Sequence, residues 1–376
     1  MAGIYIHIPF CKKACHYCNF HFSTSIALKN GFLKALLNEI RLQSQYLDGQ
    51  TISSIYLGGG TPSLLSVEEC REIFNALSEV FKIESSAEIT LEANPDDIDQ
   101  SKLEGWKEIG INRLSIGVQS FHQKELSWMN RAHDANQAQE SIQSALTYFS
   151  NLTVDLIYGV PGLLDHEWEE NVRTLIDAGI PHLSCYALTV EPKTALQKMI
   201  DLQKLSNVNL DDQARQFLLL VDWLEAAGYD HYEISNFAKP GKRSLHNSSY
   251  WRGEHYLGLG PSAHSFNGFS RQWNIANNAL YIQSLEKNEL PFEKEELSLV
   301  QQHNEYIMTA LRTMEGIDLT VLRQRFGDSS REILLNKTKE PAHKGLLQVI
   351  DEKIQLTKQG RLFADGLAAD FFSEEG

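Results

Sequence analysis

The chain has 376 residues, 42% of them apolar, enough for one large domain and a smaller one. Its formal net charge of −15 repels nucleic-acid phosphates, so no nucleic-acid partner is expected. No apolar run reaches about 18 residues, the first ten residues lack a signal-peptide pattern, and five cysteines with three packed into one short stretch do not form a secreted disulfide framework. The expectation is a cytoplasmic protein without an integral membrane segment.

In chain order, short β-rich runs at 4–8, 54–57, 88–92, 113–117, 154–158 and 182–188 alternate with helical spacing at 26–46, 66–81, 99–108, 136–149, 166–178 and 211–227. Ser66 stands three residues before Glu69, a reciprocal capping pattern, and Gly179 and Gly228 follow helices where a terminating glycine belongs. Six such units require crossover helices and therefore a parallel sheet. Cys11, the run 58–63, Glu92, Gln119 and Asp155 are expected at the C-terminal ends of successive strands, where α/β barrels place their chemistry. A doubly wound sheet would gather such residues at one switch point instead.

The expected fold class is therefore α/β: a partial (β/α)6 barrel over 1–230. Residues 231–296, rich in Asn, Ser, Gly and aromatics, read as an irregular connecting segment. Helical stretches at 301–314 and 319–326, then β runs at 345–351 and 353–357, make 297–376 a small winged-helix-like α+β domain. The acidic balance favours a lid or docking surface over DNA binding for that domain.

Cys11-Lys-Lys-Ala-Cys15-His-Tyr-Cys18 follows the first strand directly. Such a tight loop can aim three thiolates at one inorganic centre. A [4Fe–4S] cluster has four irons, so three cysteines leave one open to a ligand. Zinc is the alternative, with His7, His16 or His21 as a fourth ligand, and would make the chain a zinc-stabilised interaction protein. Cys70 and Cys185 lie within helix and strand patterns and read as buried small hydrophobes. The triple glycine 58–60 lets backbone approach a charged ligand closely. Glu92, Gln119 and Asp155 add polar groups where apolar strands end, and Arg131 lies in the loop beyond. Each alone reads as a solvated residue; converging on one rim, they suit a ligand with hydroxyl, carboxylate and cationic groups.

The cysteine loop, with Tyr17 before its last cysteine, resembles the signature of radical S-adenosylmethionine proteins. Tyr5-Ile-His-Ile-Pro-Phe-Cys11, the run 58–63, Gly-Val-Gln119-Ser-Phe, Arg131-Ala-His133 and Asp155-Leu-Ile-Tyr-Gly-Val-Pro-Gly162 are similar to the oxygen-independent coproporphyrinogen III oxidase family, along nearly the whole chain. The resemblance implies that Cys11, Cys15 and Cys18 ligate the cluster. It likewise implies that Tyr5, Tyr17, Gly59, Gly60, Thr61, Glu92, Gln119, Arg131 and Asp155 line a site for S-adenosylmethionine, held on the open iron. Oxidases of that family carry a further cysteine where this chain has Phe20, and a long segment ahead of the position of Tyr5.

Leu245-His246-Asn-Ser-Ser-Tyr250-Trp251 instead matches the motif of the sister group, haem chaperones. A histidine can ligate haem iron, and the two aromatics offer flat faces to a porphyrin; otherwise His246 caps a turn and the aromatics close the barrel. His264 is a second candidate ligand. The resemblance implies haem as cargo and haem-accepting proteins, respiratory enzymes among them, as partners. Homodimerisation, under control of the cluster, is a further expectation. The competing expectation is an enzyme, coproporphyrinogen III dehydrogenase, decarboxylating its substrate by radical chemistry.

Overall fold

Six parallel strands form in chain order: β1 Ala2–Ile8, β2 Ile52–Gly59, β3 Ile83–Ala93, β4 Arg113–Gln119, β5 Leu152–Tyr158 and β6 His182–Ala187. Their pairing is sequential, β1 to β2 through β5 to β6, all parallel. Alternation decides which side each residue faces. Ile4, Ile6 and Ile8 are fully buried in one core with Phe32, Leu36 and Ile40 of helix Lys29–Leu42, while Tyr5 and His7 turn to the concave side. The Ser66–Glu69 capping box starts helix Val67–Val80 as expected. Gly179 and Gly228 have φ of 73° and 76°, the left-handed conformation glycine supplies after a helix. The computed structural model describes residues 1–374; positions 375 and 376 of the expected C-terminal domain lie outside them.

The span 231–296, expected to be irregular, is ordered. It holds β7 Asp230–Glu233, β8 Asn236–Ala238, β9 His255–Leu259, β10 His264–Phe266, β11 Ser270–Asn274 and β12 Phe292–Glu296, with helices Leu245–Trp251 and Asn278–Glu286. These strands extend the barrel sheet on both sides, in the order β12-β11-β10-β9-β1-β2-β3-β4-β5-β6-β8-β7. The barrel therefore stays open, as a partial (β/α)6 barrel should. The alternation was hidden because the strands are short and bury polar residues that are satisfied across the sheet. Ser265 Oγ accepts from Gly258 N–H at 2.9 Å, and Asn274 Nδ2 donates to the buried Glu39 at 2.6 Å. The outer strand β12 is exposed along its length.

The C-terminal region is winged-helix-like. Helices Leu299–Leu311, Leu319–Phe326 and Asp328–Lys337 precede the hairpin of β14 Leu347–Ile350 and β15 Lys353–Leu356. The short β13 Ile317–Asp318 completes a three-stranded sheet, with a core of its own around Ile307, Leu322, Ile354 and Phe371. Helix Asp328–Lys337 was not anticipated; its sequence is largely polar and only Leu334 is buried.

Candidate functional site

At the C-terminal end of the parallel strands lies a cavity of about 430 Å³. Cys11, Cys15, Tyr17, Cys18, Gly59, Gly60, Thr61, Glu92, Gln119, Arg131 and Asp155 all line it. Tyr5 does not. It sits behind the wall, its ring 6.2 Å from Tyr56 and its hydroxyl 3.1 Å from His7 Nδ1. Asp155 is a second departure: it stands in the middle of β5 rather than at its end, forming the floor of the cavity.

The cysteine loop is held from outside. Cys11 N–H donates to Ser23 O at 3.0 Å, His16 N–H to Met129 O at 3.1 Å, and Asn130 Nδ2 to Ala14 O at 2.8 Å. Lys12 pairs with Asp96 at 2.8 Å and also with Asp97. Burial pushes the Cys18 thiol up to about 11 and raises Cys11 too; binding to iron would deprotonate them outright. Of the histidines considered for zinc, His7 has both ring nitrogens engaged, and His16 and His21 one each. His7 lies between Tyr5 and His21 O, His16 holds Trp128 O at 2.8 Å, and His21 holds Asn278 at 2.7 Å. Among the described residues no three His, Cys, Asp or Glu side chains are gathered for a single ion. A cluster asks for something wider, because each cysteine takes a different iron.

Two features build the ligand-facing wall. Gly59 has a φ of 102°, and a Cβ on Gly60 would stand 2.7 Å from the carbonyl oxygens of Ile8 and Phe10, so only glycines let the chain pass there. Pairing slips between Gly117 and Gln119, and Gln119 takes a φ of 69°, which aims its amide into the cavity. Arg131 donates to Cys15 Sγ at 3.3 Å, Asn94 Oδ1 at 2.8 Å and Gly117 O at 2.6 Å, while its buried Nε has no hydrogen-bond partner among the described residues. That orphaned donor beside three thiols suits a carboxylate-bearing ligand next to a cluster. Burial, with repulsion from Asp155, pushes Glu92 up to about 7; burial pushes Asp155 up to about 6. Two buried carboxyls that resist ionisation are suited to a ligand carrying hydroxyls and positive charge. Asn94 was missed in the sequence, although its place two residues after Glu92 at a strand end was a usable signal.

His246, Tyr250 and Trp251 lie at the other end of the barrel. His246 is 2% exposed, with Nδ1 2.8 Å from Ser54 Oγ and Nε2 2.9 Å from Tyr250 OH. Both ring nitrogens are therefore engaged. Tyr250 and Trp251 border a second cavity of about 270 Å³, with Tyr256, Phe266, Arg271 and Tyr306. His264 is exposed on β10, its ring 6.1 Å from Trp273 and near parallel to it. Among the described residues no hydrogen bond reaches the His264 ring.

The model of the radical SAM superfamily matches residues 5–200, and that of the HemN C-terminal domain matches 297–363. The fold is that of a radical SAM protein. Bacillus subtilis has a relative named heme chaperone HemW, 33% identical over 379 aligned residues covering 100% of both chains. A relative of the same name in Escherichia coli is 30% identical over 99% of this chain and 98% of its own. The solved coproporphyrinogen III oxidase HemN of Escherichia coli, a radical SAM enzyme, superposes with a TM-score of 0.85 over 99% of this chain and 90% of its own, at 24% identity. The chain belongs to the HemW family within the radical SAM superfamily.

Proposed function

We propose that this protein is a cytoplasmic haem chaperone that takes up haem, holds it and passes it to a haem-requiring acceptor. The observation that carries the reading is the likeness, along the whole chain, to relatives named heme chaperones. Among the described residues no helix is long and apolar enough to cross a membrane.

Cys11, Cys15 and Cys18 would hold a [4Fe–4S] cluster, and the cavity beside them would take S-adenosylmethionine. When bound, these groups supply one-electron cleavage of the sulfonium. Arg131 meets the cofactor carboxylate, and the backbone at Gly59 and Gly60 receives its amino group. Glu92 and Asp155 accept from ribose hydroxyls and face the sulfonium charge, while Gln119 bonds in both directions. Tyr17 and Thr61 close the wall. Cluster occupancy governs dimerisation or haem transfer.

Haem lies against Tyr250 and Trp251 at the aromatic cavity. Of the two candidate iron ligands, both His246 nitrogens are engaged, whereas no hydrogen bond among the described residues reaches the His264 ring, which lies on β10 two residues before the cavity-lining Phe266; this favours His264 for a haem that extends past the cavity rim. The test is a haem titration of anaerobically reconstituted protein, with a parallel assay for coproporphyrinogen decarboxylation. Stoichiometric haem binding, weakened in His264→Ala and without turnover, is the expected result. Conversion of coproporphyrinogen to protoporphyrinogen would overturn the reading and make the protein an oxidase despite Phe20.

A further inference from the structure

The helix Leu245–Trp251 packs its His246 against the concave side of the barrel, behind the cofactor cavity. Its ring lies 5.1 Å from that of Tyr56, tilted by only 22°. Tyr56 also meets Tyr5, its neighbour across the paired strands, at 6.2 Å and 25°. The Tyr56 hydroxyl donates to Glu92 Oε1 at 2.7 Å, and Gly59 N–H donates to Glu92 Oε2 at 3.2 Å. One end of this chain of contacts is a cavity carboxylate; the other is the hydroxyl of Tyr250, which borders the aromatic cavity.

The stack has no slack. A Cβ on Gly3 would stand 3.3 Å from the His246 ring, and one on Gly58 would stand 2.8 Å from Tyr56 and 3.0 Å from Glu92. Bare glycines on both strands let the rings fit between them. Burial and the nearby Arg113 pull the His246 imidazole down to about 3, so it is neutral and one nitrogen donates while the other accepts. A ring so held fixes the plane of Tyr56, and that plane fixes where the Tyr56 hydroxyl meets Glu92.

We propose that His246 is a positioning residue for the cofactor cavity: it holds Tyr56, through it the Glu92 carboxyl, and so couples the Tyr250–Trp251 pocket to the affinity for S-adenosylmethionine. The proposal rests on reading the 430 Å³ cavity as the S-adenosylmethionine site. It assigns the histidine of the motif to the barrel's own cofactor instead of to haem iron. Coupling of this kind is reciprocal: filling either site must alter the affinity of the other by the same factor.

Full-length protein carrying its cluster would be titrated with S-adenosylmethionine by equilibrium dialysis, and separately with haem. His246→Ala should weaken S-adenosylmethionine by about tenfold, the equivalent of one hydrogen bond, with iron content unchanged. Tyr56→Phe, which keeps the stack and loses the hydroxyl, should do the same. The double variant should be no weaker than either single, because all three break one chain of contacts. In wild type, saturating haem should shift the S-adenosylmethionine affinity, and Tyr56→Phe should abolish that shift. Should His246→Ala lose its fold, Tyr56→Phe alone decides the matter. Unchanged S-adenosylmethionine affinity in both variants overturns the proposal, and weakened haem binding in the same His246→Ala sample would then place that residue on the haem iron. Wild-type protein that holds four irons per chain yet binds no S-adenosylmethionine overturns the cofactor reading, and the proposal with it.

Discussion

Gly59 and His7 stand so close across the paired strands β1 and β2 that a Cβ on Gly59 would run into the imidazole. The ring cannot retreat, since Tyr5 OH holds Nδ1 at 3.1 Å and His21 O holds Nε2 at 2.8 Å. Gly59→Ala would meet this clash and the φ of 102° together. It should cost on the order of 2–3 kcal/mol of stability and weaken S-adenosylmethionine binding. Gly49→Ala, at a φ of 70° with nothing within 4 Å of the added carbon, is the control and should cost only about 1 kcal/mol. Urea denaturation of both variants is the measurement.

Cluster content separates the cysteines. Ser in place of Cys11, Cys15 or Cys18 should each abolish bound iron and inorganic sulfide after anaerobic reconstitution, since all three line one cavity. Cys70→Ser and Cys185→Ser should leave both at the wild-type level, because these thiols are buried elsewhere, at 0% and 2% exposure.

Glu92 makes stability depend on pH in a defined sense. Burial and Asp155 raise it from 4.5 to about 7, so the folded chain keeps the proton to higher pH than the unfolded chain. The corresponding stability is fully present below about pH 4.5 and is lost as pH rises through 7, a loss of roughly 3 kcal/mol. Without cofactor, Glu92→Gln should therefore be more stable than wild type at pH 8, by an amount that shrinks towards pH 5. Denaturation midpoints at the two pH values test this; a pH-independent difference would contradict it.

Glu88 anchors the motif helix. Its carboxylate accepts from Leu245 and His246 N–H, both at 3.0 Å, and from Ser244 Oγ at 3.2 Å, and it lies 3.6 Å from the buried Arg113. Glu88→Ala strands that guanidinium as well as the helix start, and should cost about 3–5 kcal/mol. Adding Arg113→Met should recover part of the loss, since no unpaired charge then remains in the interior. Equilibrium unfolding of the single and double variants gives the comparison.

Six strands and their helices were readable because each buries an apolar stripe whose period survives in the sequence, as Ile4, Ile6 and Ile8 show. The cavity was readable in outline because polar residues at strand ends stand out against such stripes. What stayed hidden depends on distant pairs. Ser54 and His246 bond across 192 positions, and nothing local distinguishes an imidazole so engaged from one that is free. Asp155 looks the same in sequence whether it ends a strand or sits within it. The strands β10 and β11 escaped notice because Ser265, Gln272 and Asn274, buried like any core residue, carry no apolar pattern.

The two outer edges of the long sheet bear on whether copies of this protein can pair edge to edge. At one edge, β12 presents Glu293, Lys294, Glu295 and Glu296 to water, a row in which acidic groups outnumber the single lysine. An identical strand brought alongside would set like charges together, as edge strands that resist self-pairing do. At the other edge, β7 is already capped, through the bridge from Glu233 to Thr313 and the Met314 N–H bond to Tyr232 O at 3.0 Å. Fibre-like stacking through continuation of the long sheet is thereby opposed at both ends.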